Sequence, residues 1–592
     1  MKRSTVKPTM AKTDKEKKEM KRKTLVKREH KITDCFSSEM NTCQALVKPD
    51  GTKASIQKSL GIKRALYKTL SYCFPFTDSS KIEDLLEKHG YIYRDLKDFP
   101  TEERHTIRYA TVEFAGIKFK TKASTGDEYL ENINNVVINS LFNNKLFPNL
   151  QHIVICEEKY SFTPDDFKAA TRQKRQKSMP FSISHLKIGD EIMSSEKLSK
   201  SAVLNTELGK RMISNYLARN ISKLKIKRNL TLDVDSELVL SKCECMSTDE
   251  GLCPHIRYTT PVRATFTNEG YQNTTLLKEI KQMKGEAEMS QVDWLSNIKD
   301  ELKEGESVVS IVTSADIDSI VIHLFALSIH WPRTTSGSFK NTVYVMLQKP
   351  KSEVFNITSI IEVLEHRFVK GIGRNIAIAC CIGGNDYIPK FHGFSHEKWI
   401  TAILDENSIN RLVTFDVSND NVITGILDEE TFLDTVKRMY CPASVNANSA
   451  TLEQVRQLSI KYPDKPFRPL VSWMPPKSAL LQFIKLINCQ IQYLLTAWKH
   501  DAVLPNFIGS GCLMKDSEGN IQYNFGSDIR IGAREDALTL PEDDIRILYS
   551  KKGKKKKRQR SANNTPTKDK KGKRKAVMST PIKMKNKQDG AN

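Results

Sequence analysis

Short apolar runs rich in β-branched residues recur through the middle of this chain and constrain its fold more than any other feature. His152-Ile153-Val154-Ile155-Cys156, Val308-Val309-Ser310-Ile311-Val312-Thr313 and Val343-Tyr344-Val345-Met346-Leu347 lack the polar alternation of a strand with one wet face. Runs of this kind belong to strands covered on both sides. Stretches with helical spacing lie between them. Ile133, Val136, Val137, Leu141 and Phe142 predict a helix over 132–146, with others over 210–224 and 320–331. Residues 108–119 and 230–240 read as further strands. The rhythm predicts an α/β domain with a mostly parallel central sheet. In such sheets the chemistry collects at the carboxyl ends of the strands. Residues 400–545 read as mainly helical, with helices over 429–440 and 479–498.

Charge separates the ends from the body. Residues 1–32 carry a net +9 and residues 551–592 a net +15, against +23 for all 592 residues, so the body between is near neutral. Blocks of like charge repel themselves and stay disordered, and basic blocks contact nucleic acid or direct nuclear import. The run Lys554-Lys555-Lys556-Lys557-Arg558-Gln559-Arg560 is the strongest such element. A nuclear location and a nucleic-acid partner are the expectation; a solubilising tail is the plainer alternative. No apolar segment follows Met1-Lys2-Arg3, and no run of 18 apolar residues occurs, so neither a secretory signal nor a membrane span is expected. Twelve cysteines in this length fit a reducing compartment better than a disulfide framework.

Carboxylates recur where the strands end. Asp316 and Asp318 follow the run 308–313, and in an extended segment residues two apart face the same way. Two carboxylates on one face repel unless a cation lies between them. Glu286 and Glu288 form a second pair, and Asp386 follows the apolar run 376–382 and the glycines Gly383-Gly384. Glu157 and Glu158 follow the strand at 152–156, and Glu113 lies within the first strand. Hard oxygen ligands gathered in this way suit Mg²⁺ or Mn²⁺, and two such ions suit phosphodiester cleavage. Asp233 and Asp235 form another strand-type pair, ranked below Glu157 as an early ligand.

In kind and order, Glu286-Ala287-Glu288, Asp316-Ile317-Asp318 and Gly384-Asn385-Asp386-Tyr387 resemble the flap-endonuclease and XPG-type structure-specific 5′ nucleases, within the PIN-like fold. The resemblance covers roughly residues 105–405. It implies metal ligation by Glu286, Glu288, Asp316, Asp318 and Asp386. Glu113 and Glu157 stand where the family has its first two aspartates. It implies that Lys168 and Arg172 act at the scissile phosphate, with Arg175 beside them. A helix–two-turn–helix follows at 388–399, where Lys390, Gly393, Ser395 and Lys398 would contact duplex backbone and a K⁺ ion could bind. Ser395 replaces the family's second hairpin glycine. The chain thus divides into a basic arm (1–60), a PIN-like nuclease domain with its helix–two-turn–helix (61–405), a mainly helical region (406–545) and a disordered basic tail (546–592). The implied function is divalent-metal-dependent cleavage of branched or flapped DNA, with RNA an open alternative substrate. The alternatives are a PIN-like scaffold that has lost catalysis and a nuclear interaction protein acting through its tails. An extra helix near 292–302 would fill the long gap between Glu288 and Asp316.

Two further clusters stand out in the sequence. Cys243, Cys245, Cys253 and His255 offer the four ligands of a tetrahedral Zn²⁺ site, or are free thiols of a reducing compartment. His392 and His396, four apart, suit a metal on a helix less well than a place in the backbone-contacting hairpin.

Overall fold

A computed structural model of the chain describes residues 46–47, 54–74, 81–120, 126–159, 207–236, 261–280, 284–301, 307–348, 352–404, 408–417, 423–460, 468, 472–500, 502, 504–511, 513–515, 517 and 521–523. Both basic termini, the predicted site residues Lys168, Arg172 and Arg175, the cluster Cys243, Cys245, Cys253 and His255, and the end of the strand predicted over 230–240 lie outside them.

The architecture is mixed α/β around a nine-stranded sheet. The strands are β1 Leu46–Val47, β2 Ile92–Tyr93, β3 Ile107–Glu113, β4 His152–Cys156, β5 Leu230–Asp235, β6 Val262–Thr267, β7 Gly270–Leu276, β8 Val309–Ser314, β9 Thr342–Leu347, β10 Glu353–Asn356 and β11 Lys390–Phe391. The large sheet runs β2-β10-β9-β8-β3-β4-β5-β6-β7, while β1 pairs with β11. Its five central strands, β9 to β5, are mutually parallel. Antiparallel strands flank them on both sides. β6 and β7 are joined by a two-residue turn, too short for a parallel crossover, and so run antiparallel.

The central strands bury both faces by alternation. Val154 and Cys156 of β4 join one core, Ile153 and Ile155 the other. In β9, Val343, Val345 and Leu347 divide from Tyr344 and Met346 in the same way. The helices that matter for the site are α1 Ala54–Ser71, α2 Ala287–Glu301, α3 Asp318–Ile329, α4 Ile372–Ile382, α5 His396–Leu404 and α6 Lys477–Leu495. All six contribute to the first of the two cores, which extends from Ile62 to Leu513.

Several sequence expectations need correction. The strand expected over 108–119 ends at Glu113, and Phe114–Lys120 is helical. Phe114 and Ile117, three apart, are both buried in one core, which is helical spacing. The helix expected over 132–146 begins earlier, at Gly126, and continues over Ile133–Leu141 with wider turns, closed by the Phe142 N–H donating to the Val137 carbonyl five residues back. The arm ending at residue 60 is overlapped by α1, whose Ile62, Ala65, Leu66 and Leu70 are buried along one face. The helix expected at 292–302 starts at Ala287, so Glu288 lies in its first turn. Beyond residue 406 the helices Glu429–Tyr440, Leu452–Ile460 and α6 are accompanied by two β-hairpins, Val413–Val417 with Ile423–Leu427 and Leu513–Lys515 with Ile521–Tyr523. Among the described residues no helix is long and apolar enough to cross a membrane.

Helix α3 is buried on nearly every side and carries a fully buried histidine, His323. Its Nδ1 lies 2.7 Å from the Ser319 carbonyl, which can only accept, so Nδ1 holds the proton. Burial lowers its pKa to about 4. The folded state therefore favours the neutral ring, and unfolding takes up a proton between about pH 6.5 and 4. This contribution, about 3 kcal/mol, is complete above the unfolded pKa and is lost as pH falls through that window. Urea unfolding at pH 7 and pH 4.5 checks it: the loss on acidification should be smaller in His323→Leu than in the wild type.

Candidate metal centre

Three strands end side by side at the carboxyl edge of the sheet. Glu113 of β3 pairs with Cys156 of β4, and Val112 lies opposite Thr313 of β8. The acidic positions after each strand are thereby brought to one edge, as the sequence pattern required. Beyond β8 the chain turns through Ser314–Ile317 into α3. The Asp316 N–H donates to Ser314 Oγ at 3.2 Å, and Asp318 opens the helix, where the exposed N–H groups favour a negative charge.

Asp386 arrives from the other side. Helix α4 ends at Ile382, and Gly383-Gly384 lead into a tight turn closed by Asn385, whose side-chain oxygen accepts from the N–H groups of Tyr387 (2.9 Å) and Ile388 (2.8 Å). Gly384 has φ of 103°, and a Cβ there would lie 2.5 Å from the Lys390 Cβ. Only glycine meets both conditions. One carboxylate oxygen each from Asp316, Asp318 and Asp386 lies within 4.8 Å of the others. Half-buried, convergent and purely oxygen, this set could hold a metal ion.

A cationic side chain is already seated there. Lys58 of α1 places its Nζ 2.8 Å from Asp318, 3.2 Å from Asp316 and 3.2 Å from Asp386. The lysine side chain is only 7% exposed. Burial opposes its charge, but the carboxylates, Asp318 foremost, outweigh burial and raise its pKa above that of a free lysine. Burial is also the largest influence on Asp318. With repulsion from Asp316 and Asp386 it exceeds the pull of Lys58, and the Asp318 pKa is pushed up to about 7.

Behind the three aspartates His396 locks the elements together. Its Nε2 lies 2.8 Å from the Gly384 carbonyl and so carries the donated proton. A Cβ on Gly61 would sit 2.4 Å from its Nδ1, and one on Gly383 would sit 2.5 Å from its ring. One buried imidazole thus fixes α1, which carries Lys58, against the turn that carries Asp386. Burial lowers its pKa. His396 is therefore committed to the Gly384 carbonyl, while His392 is exposed.

The remaining predicted ligands lie outside the aspartate cluster. Glu113 is buried and accepts from Ser314 Oγ (2.6 Å) and from the Ala315 N–H (2.7 Å), so it holds the loop that presents Asp316. Burial raises its pKa against those hydrogen bonds, with the charges of Glu158 and Asp316 adding to the rise. Glu157 is turned inward and accepts the hydroxyl of Ser214. Its neighbour Glu158, half-buried, is the carboxylate whose field reaches Glu113. Glu158 lies 3.9 Å from Lys210 Nζ. The Lys159 N–H donates to the Gly285 carbonyl at 2.9 Å, which sets the Glu158 segment beside that of Glu286 and Glu288. Glu286 is buried, and Glu288 half-buried in the first turn of α2.

Asp233 and Asp235 are committed elsewhere. Asp233 accepts two hydrogen bonds from Arg263 at 2.8 Å and lies 2.7 Å from His152 Nε2. Burial would raise its pKa, but these partners outweigh it and lower it. Asp235 accepts from Lys159 Nζ (2.7 Å) and Trp294 Nε1 (2.9 Å), all three groups being buried.

The hairpin after Asp386 is on the surface. Gly393, at φ of 77°, and Ser395 are exposed, and Lys390 is half-buried. The Ser395 hydroxyl accepts the Lys398 N–H at 3.2 Å and so caps α5, which gives a reason for serine at this position. Lys398 is exposed and its ammonium lies 4.0 Å from the centre of the Phe394 ring.

No protein-family model matches the sequence, and no curated protein matches it either.

Proposed function

We propose that this chain is a divalent-metal-dependent, structure-specific nuclease of flap-endonuclease type on a PIN-like fold, cleaving phosphodiester bonds in branched or flapped DNA. The observation that carries the reading is the convergence of Asp316, Asp318 and Asp386 at the carboxyl edge of a parallel sheet. These three would hold one Mg²⁺ or Mn²⁺. Glu158, Glu286 and Glu288, on adjoining segments, are the residues a second would draw on. Bound ions would supply Lewis acidity to the attacked phosphate and to the attacking and leaving oxygens.

The chain's own groups have separate tasks in this reading. Glu113 positions the Asp316 loop through Ser314 and Ala315. Lys168 and Arg172 would add positive charge at the phosphate, with Arg175 beside them. Lys390, Gly393, Ser395 and Lys398 would meet the duplex backbone, where a helix start and lysines suit phosphate. The basic termini would raise encounter rate and make affinity salt-dependent without specifying sequence, and would direct the protein to the nucleus.

One observation favours a second reading. Lys58 neutralises part of the aspartate charge without any metal, as an inactive nucleic-acid-binding scaffold would require. Full-length protein incubated with labelled flap, hairpin and single-stranded DNA separates the two. Cleavage with Mg²⁺ or Mn²⁺ that stops with EDTA is the expected result. Binding without cleavage under every metal condition would sink the nuclease reading and leave the scaffold.

A further inference from the structure

The Lys58 ammonium touches three carboxylate oxygens, Asp316 Oδ2, Asp318 Oδ2 and Asp386 Oδ1, at 2.8–3.2 Å. Those are oxygens that an ion shared by all three residues would take. An ammonium and a divalent ion cannot both sit at their focus, because two cations at contact repel strongly. We infer that Lys58 is a resident plug of the aspartate cluster, and that a divalent ion binds by displacing its ammonium. This rests on the metal-centre reading above and adds a regulation of that site: the resting state holds a covalently tethered cation.

The construction of α1 allows the exchange. Among the described side chains of this helix, the buried apolar anchors Ile62, Ala65, Leu66 and Leu70 lie C-terminal to Lys58, as does Gly61 against His396. Only one turn of the helix, from Ala54, precedes the lysine. The four-carbon stem of Lys58 can therefore turn away while the rest of α1 stays packed. Tethering also sets the affinity. A site closed on its own lysine for most of the time weakens apparent metal binding by the fraction of time it is open.

The cluster left without its lysine has a predictable fault. Three carboxylates would face one another with no cation between them, and the unliganded protein should be less stable for it. A divalent ion should restore what the lysine supplied. Metal affinity and metal-dependent stabilisation should therefore rise together on neutralising this one side chain.

Titration of Mn²⁺ into full-length wild type, Lys58→Met and Asp316→Asn/Asp318→Asn, without nucleic acid and followed by calorimetry, tests this. Lys58→Met should bind one ion about tenfold or more tighter than the wild type, and the double variant should lose that ion. Melting of the same proteins in EDTA and in excess Mg²⁺ is the second readout. Lys58→Met should melt lower than the wild type in EDTA and gain more from Mg²⁺, which supports the exchange even if the variant folds poorly without metal. Equal or weaker Mn²⁺ binding by Lys58→Met, with wild-type binding intact and abolished in the double variant, would overturn the plug alone. Absence of binding in both wild type and Lys58→Met would overturn the metal centre and the plug together.

Discussion

Asp316→Asn/Asp318→Asn should lower metal-dependent cleavage of branched DNA by about a thousandfold or more, close to 4 kcal/mol of transition-state stabilisation. The size follows from the cluster's composition. Two of its three carboxylates would become neutral amides, which keep the shape but offer neither the charge nor the affinity a hard cation needs. The fold should survive, since both residues are half-buried and lie in a loop and the first turn of α3. Circular dichroism and binding of the same DNA in EDTA should therefore stay near wild type while cleavage disappears. Cleavage that persists within tenfold would show that the reaction, if present, is performed elsewhere.

The largest effect on stability should come from the buried ion pair on the other side of the acidic edge. Lys159 and Asp235 are both fully buried and joined at 2.7 Å, with Ser290 and Trp294 completing the network at 3.0 and 2.9 Å. Lys159→Met would leave the Asp235 carboxylate without its ammonium partner in the interior. Loss of one partner of such a pair costs about 3–5 kcal/mol. The double variant Lys159→Met/Asp235→Asn should be more stable than the single one, because no uncompensated charge remains and the amide oxygen still accepts from Trp294. Urea unfolding of the four proteins of this cycle measures the coupling. Additive losses would mean that the pair is not the unit assumed.

What the sequence disclosed depends on the range of each interaction. The runs at 152–156, 308–313 and 343–347 are local signals, and each forms a strand of the parallel core within a residue or so. Asp316, Asp318 and Asp386 were legible as acidic groups that follow an apolar strand and a glycine pair, but the extended pairing expected of Asp316 and Asp318 does not form: β8 ends at Ser314, Asp316 lies in the turn beyond it and Asp318 opens α3. Lys58 was not, since it lies 258 residues from Asp316 in the chain and looked like one more charge of a basic arm. The role of His396 depends on two glycines from distant segments, Gly61 and Gly383, leaving room for one ring, which no local pattern encodes. The choice between Glu157 and Glu158 could not be made from alternation, because alternation ends with the strand. It is the hydroxyl of the distant Ser214 that holds the Glu157 carboxylate inside. The antiparallel edges escaped for a related reason. Strand β7 is polar and exposed along its length, so no apolar run announces it.

The central claim is that Asp316, Asp318 and Asp386 form a divalent-cation site. Crystals of the full-length protein soaked in Mn²⁺, with anomalous diffraction collected at the manganese edge, test it most directly. The expected result is an anomalous peak within bonding distance of all three aspartates. Full Mn²⁺ occupancy at other acidic surface positions, with no peak among these three and Lys58 still bridging them, would contradict it.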